Sequence, residues 1–252
     1  RRGPTPPSGG GASWRLVWRH SGALSPAPDR DGDDEHDWCA RMRAAVYEQF
    51  RGAISIVEVP DPTPSPGEVV VRVLAVGLCR SDYHGWHGTD PDIVCPHVGG
   101  HEFVGLVVGV GAGVARIREG DRVVAPFVCG CGSCEPCLLG QHQVCRRQEQ
   151  PGFTRWGAFA QYTTVPYADT NAVVVPPLVT DAAAALVGCR VSTAYRGVIE
   201  RGRLAAGEVL CVHGCGGVGL AAVAFGRAVG ATVVAVDIAP EALALAVSLG
   251  AD

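Results

Sequence analysis

From Met42 to about Val175 the chain runs as short apolar stretches separated by breakers. They are ISIVEVP (54–60), EVVVRVLAVG (68–77), FVGLVVGVG (103–111), DRVVAPF (121–127) and FAQYTTVP (159–166). Each is rich in β-branched residues and bounded by Pro-Gly, Gly-Asp or similar pairs, so each predicts a strand. After Thr180 the pattern changes. DAAAALVGCRVSTAYRGVIE (181–200) is Ala-rich and predicts continuous helix. EVLCVHG (208–214) and ATVVAVD (231–237) read as buried strands, each followed by a helical pattern, 216–230 and 240–250, the second with Pro240 at its start. The fold class expected is α/β with a β-rich part: a β-rich domain over 42–180 leading into a βαβα unit over 181–252, with the two buried strands parallel.

Residues 1–41 lack sustained periodicity and are rich in Pro, Gly, Arg and Asp. Such a segment buries too little apolar surface to offset its ordering entropy. It is expected to be disordered, or a non-native extension ahead of a start at Met42, the only methionine. No apolar run reaches the ~20 residues of a membrane span, and no secretory leader is recognisable, so the expected location is the cytoplasm. The net charge is −4 with no lysine and no basic cluster, which argues against nucleic acid as a partner.

Eleven cysteines in a reducing compartment point away from a disulfide framework and toward metal. CGCGSCEPCLLGQHQVC (129–145) places Cys131, Cys134, Cys137 and Cys145 as C-x2-C-x2-C-x7-C. Four thiolates on one tight loop suit tetrahedral zinc in a closed site. An iron–sulfur run would begin in the same way but continue C-x3-C-P, which this one does not. Cys129 reads as a neighbour.

Three weaker stretches, GLCRSDYHGWHG (77–88), GGHEFVG (99–105) and LVGCRVSTAY (186–195), together offer Cys79, His101 and Cys189. A Cys2His set with an open fourth position is a catalytic zinc arrangement. HGCGGVG (213–219) carries Gly214, Gly216, Gly217 and Gly219 between a predicted strand and helix, with Asp237 ending the next strand 23 residues after Gly214. That context predicts a dinucleotide turn: the glycines let a pyrophosphate approach the helix N-terminus, and the acid takes ribose hydroxyls.

In this order the motifs resemble the zinc-dependent alcohol dehydrogenases of the medium-chain dehydrogenase/reductase superfamily, over residues 42–252. The resemblance implies a GroES-like catalytic domain (42–180) with a structural-zinc lobe and the first half of a Rossmann domain (181–252). It implies two zinc ions per chain and NAD, with Cys79, His101 and Cys189 on the catalytic zinc and the four loop cysteines on the structural one. Glu102 matches an acid that can approach the metal, and Asp82 a carboxylate that orients His101. Ser81 matches the hydroxyl that takes the alcohol proton, and His84 the relay to solvent. Val218 and Thr193 match cofactor contacts. Trp86 is expected either to wall the substrate pocket or to be structural, and His87, His97, His142 and His213 to be structural. The partners implied are a small alcohol or aldehyde and, in the complete enzyme, further copies of the chain. An aldehyde reductase using NADPH and a zinc-stabilised non-catalytic module are the alternatives, and Asp237 argues against a 2′-phosphate.

Two departures from the family stand out. A doubly wound domain needs two βαβαβ halves, and only two such strands are present, so the chain is expected to be a fragment. Arg190 follows Cys189 where a smaller residue is expected, and it would face either cofactor phosphates or solvent.

Overall fold

The computed structural model describes residues 41–252. The expectation for the first 41 residues therefore lies outside the described residues, except at Arg41. Strand β1 (Arg41–Tyr47) alternates buried Met42, Ala44 and Val46 with exposed Arg41 and Arg43, and pairs antiparallel with β2 (Ile54–Pro60). The five-stranded sheet is antiparallel in the order β6 (Tyr162–Val165), β3 (Val69–Gly77), β4 (Glu102–Val110), β5 (Arg122–Val124), β7 (Val173–Val174). Val69, Val70 and Val71 are all buried, because the start of β3 lies between β4 and β6 with both faces covered there. A β-branched run suits that position.

The core beneath this sheet joins Val69, Val71, Phe103, Val107, Ile117, Val123 and Val165. Burying each such side chain is worth about 1.5–3 kcal/mol. The second core is separate: Val212, Cys215, Ala222, Val223, Val233 and Ala246 pack around two strands, β8 (Val209–His213) and β9 (Thr232–Val236). These pair in parallel as expected, Val209 opposite Thr232 through His213 opposite Val236. The crossover is a helix, Gly217–Val229, whose buried Ala222, Val223 and Gly226 form one face and which stops at left-handed Gly230.

The stretch 181–200 is not the single helix its Ala content predicts. A first helix ends at Ala185, Leu186–Gly188 tightens into a 3-10 turn, and a second helix begins only at Arg190. Tertiary packing overrides propensity here. The backbone at Gly188 presses on the end of β5, where a Cβ would lie 2.4 Å from the Ala125 carbonyl, and the Gly188 carbonyl accepts from Phe127 N at 2.9 Å. The break turns Cys189 toward the end of β3. Among the described residues no helix is long and apolar enough to cross a membrane.

Candidate metal and cofactor sites

Cys79, His101 and Cys189 come from three places: the residue capping helix α1 (Arg80–His87), the residue before β4, and the break between two helices. Their ligand atoms and a Glu102 carboxylate oxygen lie within 4.8 Å of one another. Asp82 organises the cluster. One of its oxygens accepts from Cys79 N at 2.8 Å, and the other from Gly100 N and His101 Nδ1, both at 3.0 Å. With Nδ1 committed to a carboxylate, His101 presents the lone pair of Nε2. That atom is buried and has no hydrogen-bond partner, in a side chain 1% exposed. Phe153 and Phe127 pack against the imidazole, with ring centroids 4.9 and 6.2 Å away.

The electrostatics fit a cation. The adjacent Cys189 thiol, and then the His101 imidazole, pull the Cys79 thiol down to about 3, while Cys79 and burial push Cys189 up. Two sulfurs this close do not both ionise unless a positive charge joins them. Burial opposes the charge on His101, but the hydrogen bond to Asp82 and the nearby Cys79 thiolate outweigh it and raise it to about 9. Two thiols, an imidazole nitrogen without a partner and a carboxylate together match zinc.

The Cys131–Cys145 cluster is built differently. Its four sulfurs also lie within 4.8 Å of one another, but all come from one loop and its short helix, Glu135–Leu138. Cys131 N and Arg147 N both donate to Cys145 Sγ at 3.3 Å, and Arg147 Nη2 reaches Cys131 Sγ at 3.3 Å and Ser133 Oγ at 2.7 Å. Hydrogen bonds, first from the Ser133 backbone, lower Cys131 to about 5. Asn171, 2% exposed, braces the loop by accepting from Gly130 N at 3.0 Å and donating to Gly130 O at 2.9 Å. Cys129 is buried outside the cluster, as expected, and burial pushes it up to about 12.

At the glycine turn, Gly214 has φ +95° and a Cβ on Gly219 would lie 1.8 Å from the Gly214 carbonyl, so the turn folds onto the start of the Gly217–Val229 helix. Asp237 accepts from Cys215 N at 2.6 Å and Ala239 N at 2.9 Å, and these donors, Ala239 foremost, hold its carboxyl below the usual range. Val218 and Thr193 are exposed.

Residues 65–177 match the alcohol dehydrogenase GroES-like domain. An alcohol dehydrogenase of Geobacillus stearothermophilus is 40% identical over 213 residues, covering 84% of this chain and 62% of that relative. Residues 65–177 of this chain are that GroES-like domain. Among solved structures, alcohol dehydrogenase TADH from Thermus sp. ATN1 superposes with a TM-score of 0.78 at 39% identity, over 83% of this chain and 62% of that one. A thermostable alcohol dehydrogenase from Pyrobaculum aerophilum, solved with cobalt and zinc bound, does so at 0.77 and 32% identity, over 84% and 65%. The chain spans about 62% of the length of the curated relatives it matches.

Within this alcohol dehydrogenase fold, Arg190 takes Glu102 as its main partner, a pairing that neither alternative read from the sequence names. Its Nε donates to both oxygens of Glu102 at 2.9 and 3.0 Å, its backbone N to Oε1 at 3.2 Å, and its Nη2 to Glu102 Oε2 and to Leu78 O, the latter at 2.9 Å. Glu102 is fully buried and sits 88 residues away in sequence, so no local signal announces the pair. Breaking such a pair from one side costs about 3–5 kcal/mol. Ser81 Oγ lies 3.9 Å from Cys79 Sγ, whereas the His84 side chain is exposed, with its ring packed on Tyr83. Trp86 is held in place, its Nε1 donating to Gly52 O at 2.8 Å and its ring packing beside Tyr47, Ile93 and Phe153. His97 is buried, with Nε2 2.9 Å from Gly152 O.

Proposed function

We propose that the chain carries the metal-binding and cofactor-turn parts of an alcohol dehydrogenase that interconverts an alcohol and its aldehyde or ketone. The observation that supports this best is the buried, partnerless Nε2 of His101 facing two thiols. Zinc at Cys79, His101 and Cys189 would supply Lewis-acid polarisation of the alcohol oxygen, and NAD the hydride acceptor. The chain's own residues do the rest. Asp82 fixes the tautomer of His101. Phe127 and Phe153 give the imidazole apolar walls. Ser81, at the mouth beside Cys79, takes the alcohol proton, and His84 at the surface passes it to solvent. Gly214, Gly216, Gly217 and Gly219 admit a pyrophosphate, beside which Val218 and Thr193 lie against the cofactor. Asp237 keeps acceptor capacity for ribose hydroxyls, because each of its oxygens spends one lone pair on the backbone. Its charge disfavours a 2′-phosphate.

The four cysteines 131, 134, 137 and 145 take the second zinc and hold the lobe. The test is zinc content with alcohol-dependent NADH formation on the full chain. Two zinc ions, one of them lost in His101→Ala, support the reading. Zinc at the four-cysteine loop alone overturns it. Turnover that favours NADP over NAD overturns the assignment of Asp237.

A further inference from the structure

We propose that Arg190 is a positioning residue that keeps Glu102 off the metal of the Cys79–His101–Cys189 site, and so holds its fourth position open. The inference rests on the metal reading above. Glu102 is claimed from two sides. Its carboxylate belongs to the same cluster as the two thiols and the imidazole, all within 4.8 Å, so it is itself a candidate ligand. Yet the backbone N, Nε and Nη2 of Arg190 all donate to its two oxygens.

The guanidinium is fixed in turn. Leu78 O accepts from Nη2 at 2.9 Å, and on the other side the side chain lies against Gly217, where a Cβ would stand 2.9 Å from Arg190 Cδ and 3.1 Å from Nη1. Gly217 is therefore needed to seat Arg190, besides any part it plays toward a cofactor. The carboxylate has a tailored seat as well, since a Cβ on Gly77 would lie 2.5 Å from Glu102 Oε2. A buried carboxylate that lost Arg190 would be left without its cation, and the nearest replacement is the metal. A fourth protein ligand closes a site, whereas catalysis needs an open one.

The full chain loaded with cobalt(II) reads this directly. The four-cysteine site has no open position and contributes a constant background. The open site of the wild type is expected to shift its visible cobalt bands when imidazole is added. In Arg190→Gln, Glu102 fills the position and apparent imidazole affinity falls at least about tenfold, because only the open fraction binds. Arg190→Gln combined with Glu102→Gln restores the wild-type response. Imidazole affinity in Arg190→Gln equal to wild type, or no recovery in the double variant, overturns the inference while leaving the metal site standing. If Arg190→Gln does not fold, Arg190→Lys replaces it. Lysine keeps the charge but not the two-oxygen grip, so a partial weakening is expected, and an unchanged affinity overturns the inference. A wild type that takes up cobalt at the four cysteines only overturns the metal reading along with it.

Discussion

The two cysteine-containing pockets are built in opposite ways. The Cys131–Cys145 pocket is local. Its ligands lie within one loop, its sulfurs take hydrogen bonds from neighbouring backbone and from Arg147, and Asn171 ties the loop to the body of the domain. The Cys79–His101–Cys189 pocket is assembled from distant segments, buried, and supported by charged side chains, Asp82 behind the imidazole and Arg190 behind Glu102. Four sulfurs in a closed set suit scaffolding. Three ligands with a restrained carboxylate beside them suit chemistry, because a position stays free for a substrate.

The largest expected contrast comes from removing one ligand at each pocket. His101→Ala should abolish turnover with a mild effect on folding. Cys134→Ser should unfold the lobe, because apparent zinc affinity is folding energy in such sites, about 10–16 kcal/mol in small zinc domains. Thermal unfolding and activity measured side by side check this, and equal loss of fold from both would break the division of labour. Next is the proton path. Ser81→Ala should lower alcohol oxidation by about 10²-fold or more, the usual worth of a positioned proton-transfer group. His84→Gln should do less, and mostly on the acid side of neutrality where proton release is harder. Wild-type-like pH–rate profiles for both would mean that the proton leaves by another route.

Smaller effects should follow from the supporting residues. Asp82→Asn leaves the ligands in place but should weaken metal binding at the open pocket by about 10–100-fold. Chelator competition resolves this from the four-cysteine site, which should be unaffected. Asn171→Ala should do the reverse, costing about 1–3 kcal/mol for the unsatisfied Gly130 groups and speeding metal loss from the loop alone. The smallest effect is pH-dependent. Asp169, two residues before Asn171, accepts from Ala115 N at 2.9 Å and Arg116 N at 2.8 Å, and these donors lower its carboxyl below the ordinary 3.8. Its stabilisation is full above 3.8 and is lost as pH falls through the lower folded value. The stability difference between wild type and Asp169→Asn should be flat from neutral pH down to about 5 and shrink only below about 4.

What the sequence determined by itself is what short-range physics controls. The C-x2-C-x2-C-x7-C spacing already brings four sulfurs near one point, and glycines between a buried strand and a helix already describe a turn open to phosphate. The parallel pairing of 209–213 with 232–236 follows from the crossover helix between them. Cys79, His101 and Cys189 are each weak alone and gained meaning through their order along the chain. The tertiary structure alone decided three things. It broke the Ala-rich segment at Cys189, because Gly188 is pressed against Ala125, and packing energy exceeds the few tenths of a kcal/mol per residue that helix propensity supplies. It left His84 exposed and without a hydrogen-bonded link to Ser81, which offsets along one helix do not reveal. And it gave Arg190 a buried carboxylate 88 residues away as its partner. An unpaired buried charge is too costly to leave, so the fold had to supply a partner, and which one depends on what the chain brings to that point in space.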